Sequence, residues 1–357
     1  MNAADSADSG LAAEVTALLK RGVDERVFPG AAAAVAVGSD RCCVAVGRET
    51  YDSSAPPTTT DAIFDIASLT KVVAATTAIM QLVETNALSL ENHAARFLPR
   101  LDQSRAREIT IRQLLTHTAG FPGPYEFHRF CRTREQLIDA IYALELVYRP
   151  GERRLYDDIS FMLLALIVEE IVSASFDRFC EQNIFQPLQM ANTGFRPQTG
   201  QRQIIPTEID PDRGGLLRGV VHDENAYVLG GVAGHAGLFS GTLDLLRFAS
   251  VMAGSNEANC KVLRAESIRR VYQCEWRDGE GEYGLGWDRV RPHYMGAIDD
   301  PDTIGHTGFT GTSIVISPRR ALAIVLLSNR IYPKRSDPVA INSMRRRLVE
   351  TVLRHSL

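Results

Sequence analysis

The hydrophobic pattern of this chain changes period twice, and that change restricts what it can fold into. Near the start, residues 31–37 and 41–46 are short runs rich in Ala and Val, joined by Gly38-Ser39-Asp40. A turn signal between two such runs predicts a β-hairpin. Near the end, residues 284–290, 303–306, 312–317 and 321–327 are short, apolar and rich in β-branched side chains, with Gly or Pro turns between them. Pro318-Arg319-Arg320 is placed to close a second hairpin. Between these ends the apolar residues follow helical spacing, in segments over 110–115, 134–146, 159–171, 176–184 and 243–252. Two more helical patterns, 11–27 and 338–353, flank the strands, and residues 1–9 are small, acidic and predicted to be frayed. Residues 194–225 read as an extended loop region.

Strands at both ends can share one antiparallel sheet, with the terminal helices packed on it. The expected fold is therefore α+β: a discontinuous sheet lobe from residues 1–71 and 251–357, and a mainly helical inserted lobe over 72–250. A split of this kind leaves a cleft between the lobes, a preferred place for a site.

Three polar clusters fall one to a region. Ser68 and Lys71 begin a long apolar stretch over 64–81, where a spacing of three puts hydroxyl and amine on one helical face. A serine hydroxyl needs a base to become a nucleophile. A lysine among Ile66, Ala67 and 72–75 is expected to be partly buried, and desolvation lowers a lysine pKa toward that of a base. Taken alone, the pair also fits an exposed serine beside a surface lysine. Tyr156-Asp157-Asp158 is the second cluster. A phenol near an ammonium loses its proton more easily, and an adjacent carboxylate can hold the lysine. The triplet equally fits a loop tyrosine followed by a helix N-cap. His306-Thr307-Gly308-Phe309-Thr310-Gly311 is the third, at a strand edge whose glycines let backbone approach a ligand.

With these three motifs in this order, the chain resembles the serine β-lactamase and penicillin-binding protein superfamily, in which Ser-x-x-Lys is the first motif. The resemblance runs from about residue 28 to 329 and is nearest to the branch of class C β-lactamases, D-aminopeptidase-like enzymes and esterases. Leu114-Leu115-Thr116-His117-Thr118-Ala119-Gly120, Pro150-Gly151, Gly237-Leu238-Phe239-Ser240 and Gly305-His306-Thr307-Gly308 fit that branch too. It implies a β-lactamase/transpeptidase-like fold and a serine hydrolase that forms an acyl-enzyme on Ser68. It implies Lys71 as partner of that serine, Tyr156 as general base or acid, and the backbone N–H groups of Ser68 and Phe309 as an oxyanion hole. Asp158, His306, Thr307 and Gly308 would meet the substrate.

Two positions depart from the family pattern. Asp158 stands where Asn is usual in Tyr-x-Asn, and His306 stands where many relatives have the lysine of Lys-Thr-Gly. A carboxylate only accepts hydrogen bonds, and a histidine is mostly neutral at pH 7. Both changes weaken recognition of a substrate carboxylate. The expected activity is a carboxylesterase type of ester or amide cleavage. β-Lactamase, D-Ala-D-Ala carboxypeptidase or D-aminopeptidase, and acyltransferase are the alternatives on the same scaffold, and a non-catalytic sensor or binding domain is the alternative of another class.

Composition narrows the partners. The net charge of −4, with no basic block longer than Arg345-Arg346-Arg347, argues against nucleic acid. No apolar run reaches the roughly 18 residues that cross a bilayer. The six cysteines show no Cys-x-x-Cys and read as incidental or buried thiols. His222-Asp223-Glu224 and His235 match no common zinc spacing, so no metal and no cofactor is expected. The start of the sequence lacks a signal-peptide pattern, which gives cytoplasmic localisation as the expectation. A small-molecule ester, amide or β-lactam is the expected partner, with oligomeric state undetermined. Trp287 is expected to pack in the core.

Overall fold

The computed structural model describes residues 9–103, 105–198, 200, 202–254, 262–279 and 281–355. The expected frayed start, apart from Ser9, and Cys260 lie outside the described residues.

Strands β1 (Gly30–Val37) and β2 (Asp40–Gly47) form the first hairpin. Short strands β3 (Phe64–Asp65), β4 (Gly194–Phe195), β5 (Ile209–Asp210), β6 (Gly215–Leu216) and β7 (Leu238–Ser240) follow in the middle. The end of the chain supplies β8 (Trp276–Asp278), β9 (Gly281–Tyr283), β10 (Asp288–Arg289), β11 (Ile304–Thr307), β12 (Ser313–Ser317) and β13 (Leu322–Ser328). The two ends share one eight-stranded antiparallel sheet in the order β2-β1-β13-β12-β11-β10-β9-β8. Ala34 of β1 lies opposite Val325 of β13, and His306 of β11 opposite Ile314 of β12. This is the α+β, β-lactamase/transpeptidase-like architecture expected from the sequence.

Alternation along β1 and β13 divides the interior. Ala31, Ala33, Val35, Ile324 and Leu326 face a core shared with helices Ser9–Asp24 and Val339–Arg354. Ala32, Ala34, Ala36, Ala323 and Val325 face a larger core that includes the helices Thr77–Glu84, Ile159–Val172 and Thr242–Met252. A strand buried on both faces reads as a continuous apolar run, which is why β1 lacks polar alternation. Each Val, Ile or Leu side chain buried in this way contributes about 1.5–3 kcal/mol, and each Ala less. Helix Thr242–Met252 packs directly on β1, β12 and β13. Trp287 is buried and stacks on Phe248 of that helix, as expected.

One expected strand is broken. Residues 284–290 do not form a single strand; β9 ends at Tyr283, and a tight turn leads to β10. Gly286 has φ +78, and a Cβ there would lie 2.2 Å from the Thr76 hydroxyl oxygen. Only glycine permits that turn, so the chain bends where the apolar pattern alone reads as extended. The region 194–225 is also more ordered than a loop, since Ile209 pairs with Leu216 in a small antiparallel ribbon.

Candidate active site

Ser68 sits on a turn immediately before the helix, not inside it as the spacing predicts. Residues Lys71–Thr76 form a π-helical section that continues into Thr77–Glu84, a distortion often found at functional sites. The turn is held from four directions. Asp65 accepts the Ala67 N–H at 2.8 Å and the His222 N–H at 2.7 Å. Ile66 donates to the Leu238 carbonyl at 3.1 Å, and Thr70 accepts the Leu238 N–H at 3.2 Å. Thr310 and Thr312 donate to the carbonyls of Asp65 and Ile66 at 2.8 and 3.0 Å. Ala67, just before the serine, has φ +48. A non-glycine residue in that region is strained and persists only when its surroundings over-determine it, which these bonds do.

Lys71 is fully buried. Its Nζ donates to Ser68 Oγ at 3.0 Å, to Asp158 Oδ1 at 2.6 Å and to the His235 carbonyl at 3.4 Å. The Tyr156 phenol interacts with the side chains of both Lys71 and Ser68. The Lys71 Nζ also lies 4.9 Å from the Tyr156 ring centroid. The structure thus brings Ser68, Lys71, Tyr156 and Asp158 into one contiguous network.

The electrostatics correct two expectations. Burial works against the Lys71 ammonium, but the charges of Asp158 and Tyr156 and their hydrogen bonds outweigh it, and the pKa is raised. Lys71 is therefore an ammonium at rest and not the partly neutral amine that desolvation alone would give. Burial also pushes the Tyr156 pKa up, and the opposing charge of Lys71 does not reverse this. The phenol keeps its proton at rest, contrary to the lowering expected from a nearby ammonium.

His306 is buried at the centre of β11, with its ring 6.3 Å from that of Tyr156. Its Nδ1 meets the Thr307 carbonyl at 2.9 Å. Burial pushes its pKa down to about 4, so the ring is neutral at pH 7. Thr307 is half-buried at the end of the strand. The Gly308 N–H is already donated to the Thr312 carbonyl at 2.8 Å. Among the described residues, the backbone N–H groups of Ser68 and Phe309 have no acceptor, which leaves both able to receive a developing oxyanion.

Several supporting residues escape a sequence reading. Asp157 accepts the Ser160 N–H at 2.6 Å and caps helix Ile159–Val172, and it donates its own N–H to His117 Nδ1 at 3.2 Å. The His117 ring then packs 4.5 Å from Tyr156. Asp65 and Arg345 are the largest omissions. Buried Arg345 donates to the carbonyls of Gly308 at 2.8 Å and Thr312 at 2.7 Å, clamping the turn after β11. Both act across more than 30 residues of sequence, and no local spacing marks either.

Asp158, Asp223 and His235 place ligand atoms within 4.8 Å of one another. His235 Nε2 lies 2.9 Å from Asp223 Oδ1, and the Lys71 ammonium already supplies a positive charge to this group. The other expected candidate, His222, bonds Glu208 at 2.7 Å.

The family model described as Beta-lactamase matches residues 15–347. A protein of Escherichia coli (strain K12) named "Putative D-alanyl-D-alanine carboxypeptidase" is 31% identical over 317 residues, covering 78% of this chain and 72% of that protein. A class C beta lactamase from Rhodobacter sphaeroides is similar in structure with a TM-score of 0.77 and 22% identity, covering 97% of this chain and 100% of that one. A beta-lactamase/D-alanine carboxypeptidase from Pseudomonas syringae gives a TM-score of 0.79 with 21% identity, covering 98% and 100%.

Proposed function

The chain belongs to the beta-lactamase family, and from that premise we propose that it is a serine hydrolase forming an acyl-enzyme on Ser68, with ester or neutral acyl substrates ahead of β-lactams. The observation that carries this reading is the network in which Lys71 Nζ bridges Ser68 Oγ at 3.0 Å and Asp158 at 2.6 Å while the Tyr156 ring centroid lies 4.9 Å from the same Nζ.

In acylation, Ser68 Oγ bonds to the substrate carbonyl carbon as its proton passes to Tyr156 Oη. In the same concerted relay, the phenol's own proton passes to the departing oxygen or nitrogen as that bond breaks, so that Tyr156 begins and ends as a neutral phenol. Deacylation runs the same relay with water, whose proton reaches Ser68 Oγ through Tyr156. Lys71 stays charged throughout. Its ammonium stabilises negative character that develops on the attacking oxygen, an electrostatic contribution that is large in a buried site. The Ser68 and Phe309 N–H groups would hold the oxyanion.

Neutral His306 and the Asp158 carboxylate support the substrate preference. Neither attracts a substrate carboxylate, and Asp158 repels one. A second reading, D-alanyl-D-alanine carboxypeptidase, is favoured by the name of the Escherichia coli relative. The two are separated by assaying a short-chain aryl ester, a chromogenic cephalosporin, D-amino-acid amides and a peptide ending in D-Ala-D-Ala, on wild type and Ser68→Ala. The ester should show the highest kcat/KM, and Ser68→Ala should abolish it. Peptide or cephalosporin turnover equal to that of the ester would overturn the preference. Ester turnover that survives in Ser68→Ala would overturn the mechanism.

A further inference from the structure

Phe309 follows Gly308 directly and is exposed over 47% of its surface. Its backbone is pinned beside the nucleophile turn. The neighbouring Thr310 bonds the Asp65 carbonyl at 2.8 Å, and a Cβ on Gly308 would lie 2.5 Å from the Ile66 carbonyl oxygen. The exposed ring is held in place as firmly as the backbone. It stacks on His222 with ring centroids 5.6 Å apart and planes 21° from parallel. The guanidinium carbons of Arg330 and Arg335 lie 5.0 and 5.8 Å from its centroid.

These neighbours are themselves fixed. His222 is bonded to Glu208 at 2.7 Å through its ring and to Asp65 through its N–H. Arg335 bonds Glu208 and Glu224, each at 2.8 Å. An exposed aromatic ring thus stands against an anchored guanidinium, next to the turn that carries Ser68.

An exposed apolar side chain standing singly is ordinary. A large ring locked by stacking and cations beside the nucleophile is different, because its ordering cost has been met before any ligand arrives. Resting on the hydrolase reading above, we propose that the Phe309 ring is a recognition surface for an aryl or bulky apolar group of the substrate. The ring is a specificity-determining feature, separate from the oxyanion role of the same residue's backbone N–H.

The test is a ratio of kcat/KM values, so a general loss of rate cancels. Phenylacetyl and acetyl esters of p-nitrophenol form one series, and biphenyl-4-yl and phenyl acetates form the other. Wild type should prefer the aryl-bearing member in at least one series. Phe309→Ala should lower that preference roughly tenfold, in the range a hydrophobic pocket supplies. Phe309→Leu, which keeps apolar volume, should lower it less. Labelling of Ser68 by a fluorophosphonate checks that each variant is folded. Ratios within twofold of wild type in both series for Phe309→Ala and Phe309→Leu would overturn the inference while leaving the hydrolase reading intact. If wild type turns over none of the four esters, the hydrolase reading fails first and the inference with it.

Discussion

Two buried cations serve the site from opposite faces of the sheet, Lys71 at the nucleophile and Arg345 at the turn after β11, and they are held in opposite ways. Lys71 belongs to the helix packed in the larger core, and it meets a carboxylate at 2.6 Å. Arg345 belongs to the helix Val339–Arg354 in the other core. Among the described residues it meets only neutral oxygens: two carbonyls and the Asn342 side chain at 2.7 Å. Their pKa values move apart accordingly. Asp158 and Tyr156 overcome desolvation at Lys71, whereas burial, reinforced by Arg330, pushes Arg345 down. A counter-charge keeps a buried cation available for charge stabilisation in a reaction. Carbonyl partners use a buried cation as a tie between backbone segments, at a desolvation cost. The first arrangement suits chemistry and the second suits positioning.

Substitution of the two cations gives the largest effects and the most direct way to break this contrast. Lys71→Met should lower kcat/KM by roughly 10³–10⁴, in line with removing a group of a proton-transfer network. The measurement is ester hydrolysis beside a urea titration. If Lys71→Met kept most of its activity and only lost stability, the distinction would collapse. Arg345→Met should do the reverse. It removes two charge-assisted hydrogen bonds from the Gly308 and Thr312 carbonyls, which keep their backbone donors Gly311 and Gly308, and urea unfolding should show a loss of about 2–3 kcal/mol, with a fall in kcat/KM much smaller than that of Lys71→Met.

His306 sharpens the comparison from the acid side. Its folded pKa of about 4 lies below the ordinary 6.5. The unfolded chain therefore binds a proton that the folded one does not between those values. Stability is full above pH 6.5 and declines as pH falls toward 4, by up to about 3 kcal/mol from this group. Urea midpoints measured from pH 7 to pH 4 should fall more steeply in wild type than in His306→Gln. Equal slopes would mean that burial does not hold this ring neutral.

The smallest effect is a shift of a pH profile. The Asp158 charge raises the pKa of both Lys71 and Tyr156. Removing it in Asp158→Asn should lower both, and the basic limb of kcat/KM, where the pair loses a proton, should move to lower pH by about one unit. A limb that stayed fixed would show that the titrating group lies outside the Lys71–Tyr156 pair.

These outcomes depend on features that differ in how visible they are in the chain. The Ser68–Lys71 spacing is local, and the hairpins announce themselves through Gly38-Ser39-Asp40 and Pro318-Arg319-Arg320. Tyr156 and His306 become legible through the order of three motifs. The direction of the Lys71 pKa is not local at all. It depends on a carboxylate 87 residues away, and burial without that carboxylate gives the opposite sign. Asp65 and Arg345 are hidden for the same reason, because each fixes backbone that is remote in sequence. The break between β9 and β10 was set by Thr76 crowding Gly286, a contact between the sheet and the Lys71 helix.

The central claim is that Ser68 becomes acylated within the Lys71–Tyr156–Asp158 network. Intact-mass spectrometry after treatment with a fluorophosphonate, followed by peptide mapping, addresses it directly. Wild type should gain one adduct located on Ser68, Lys71→Met should gain it far more slowly, and Ser68→Ala should gain none. An adduct on another residue, or equal labelling of Ser68→Ala, would contradict the account.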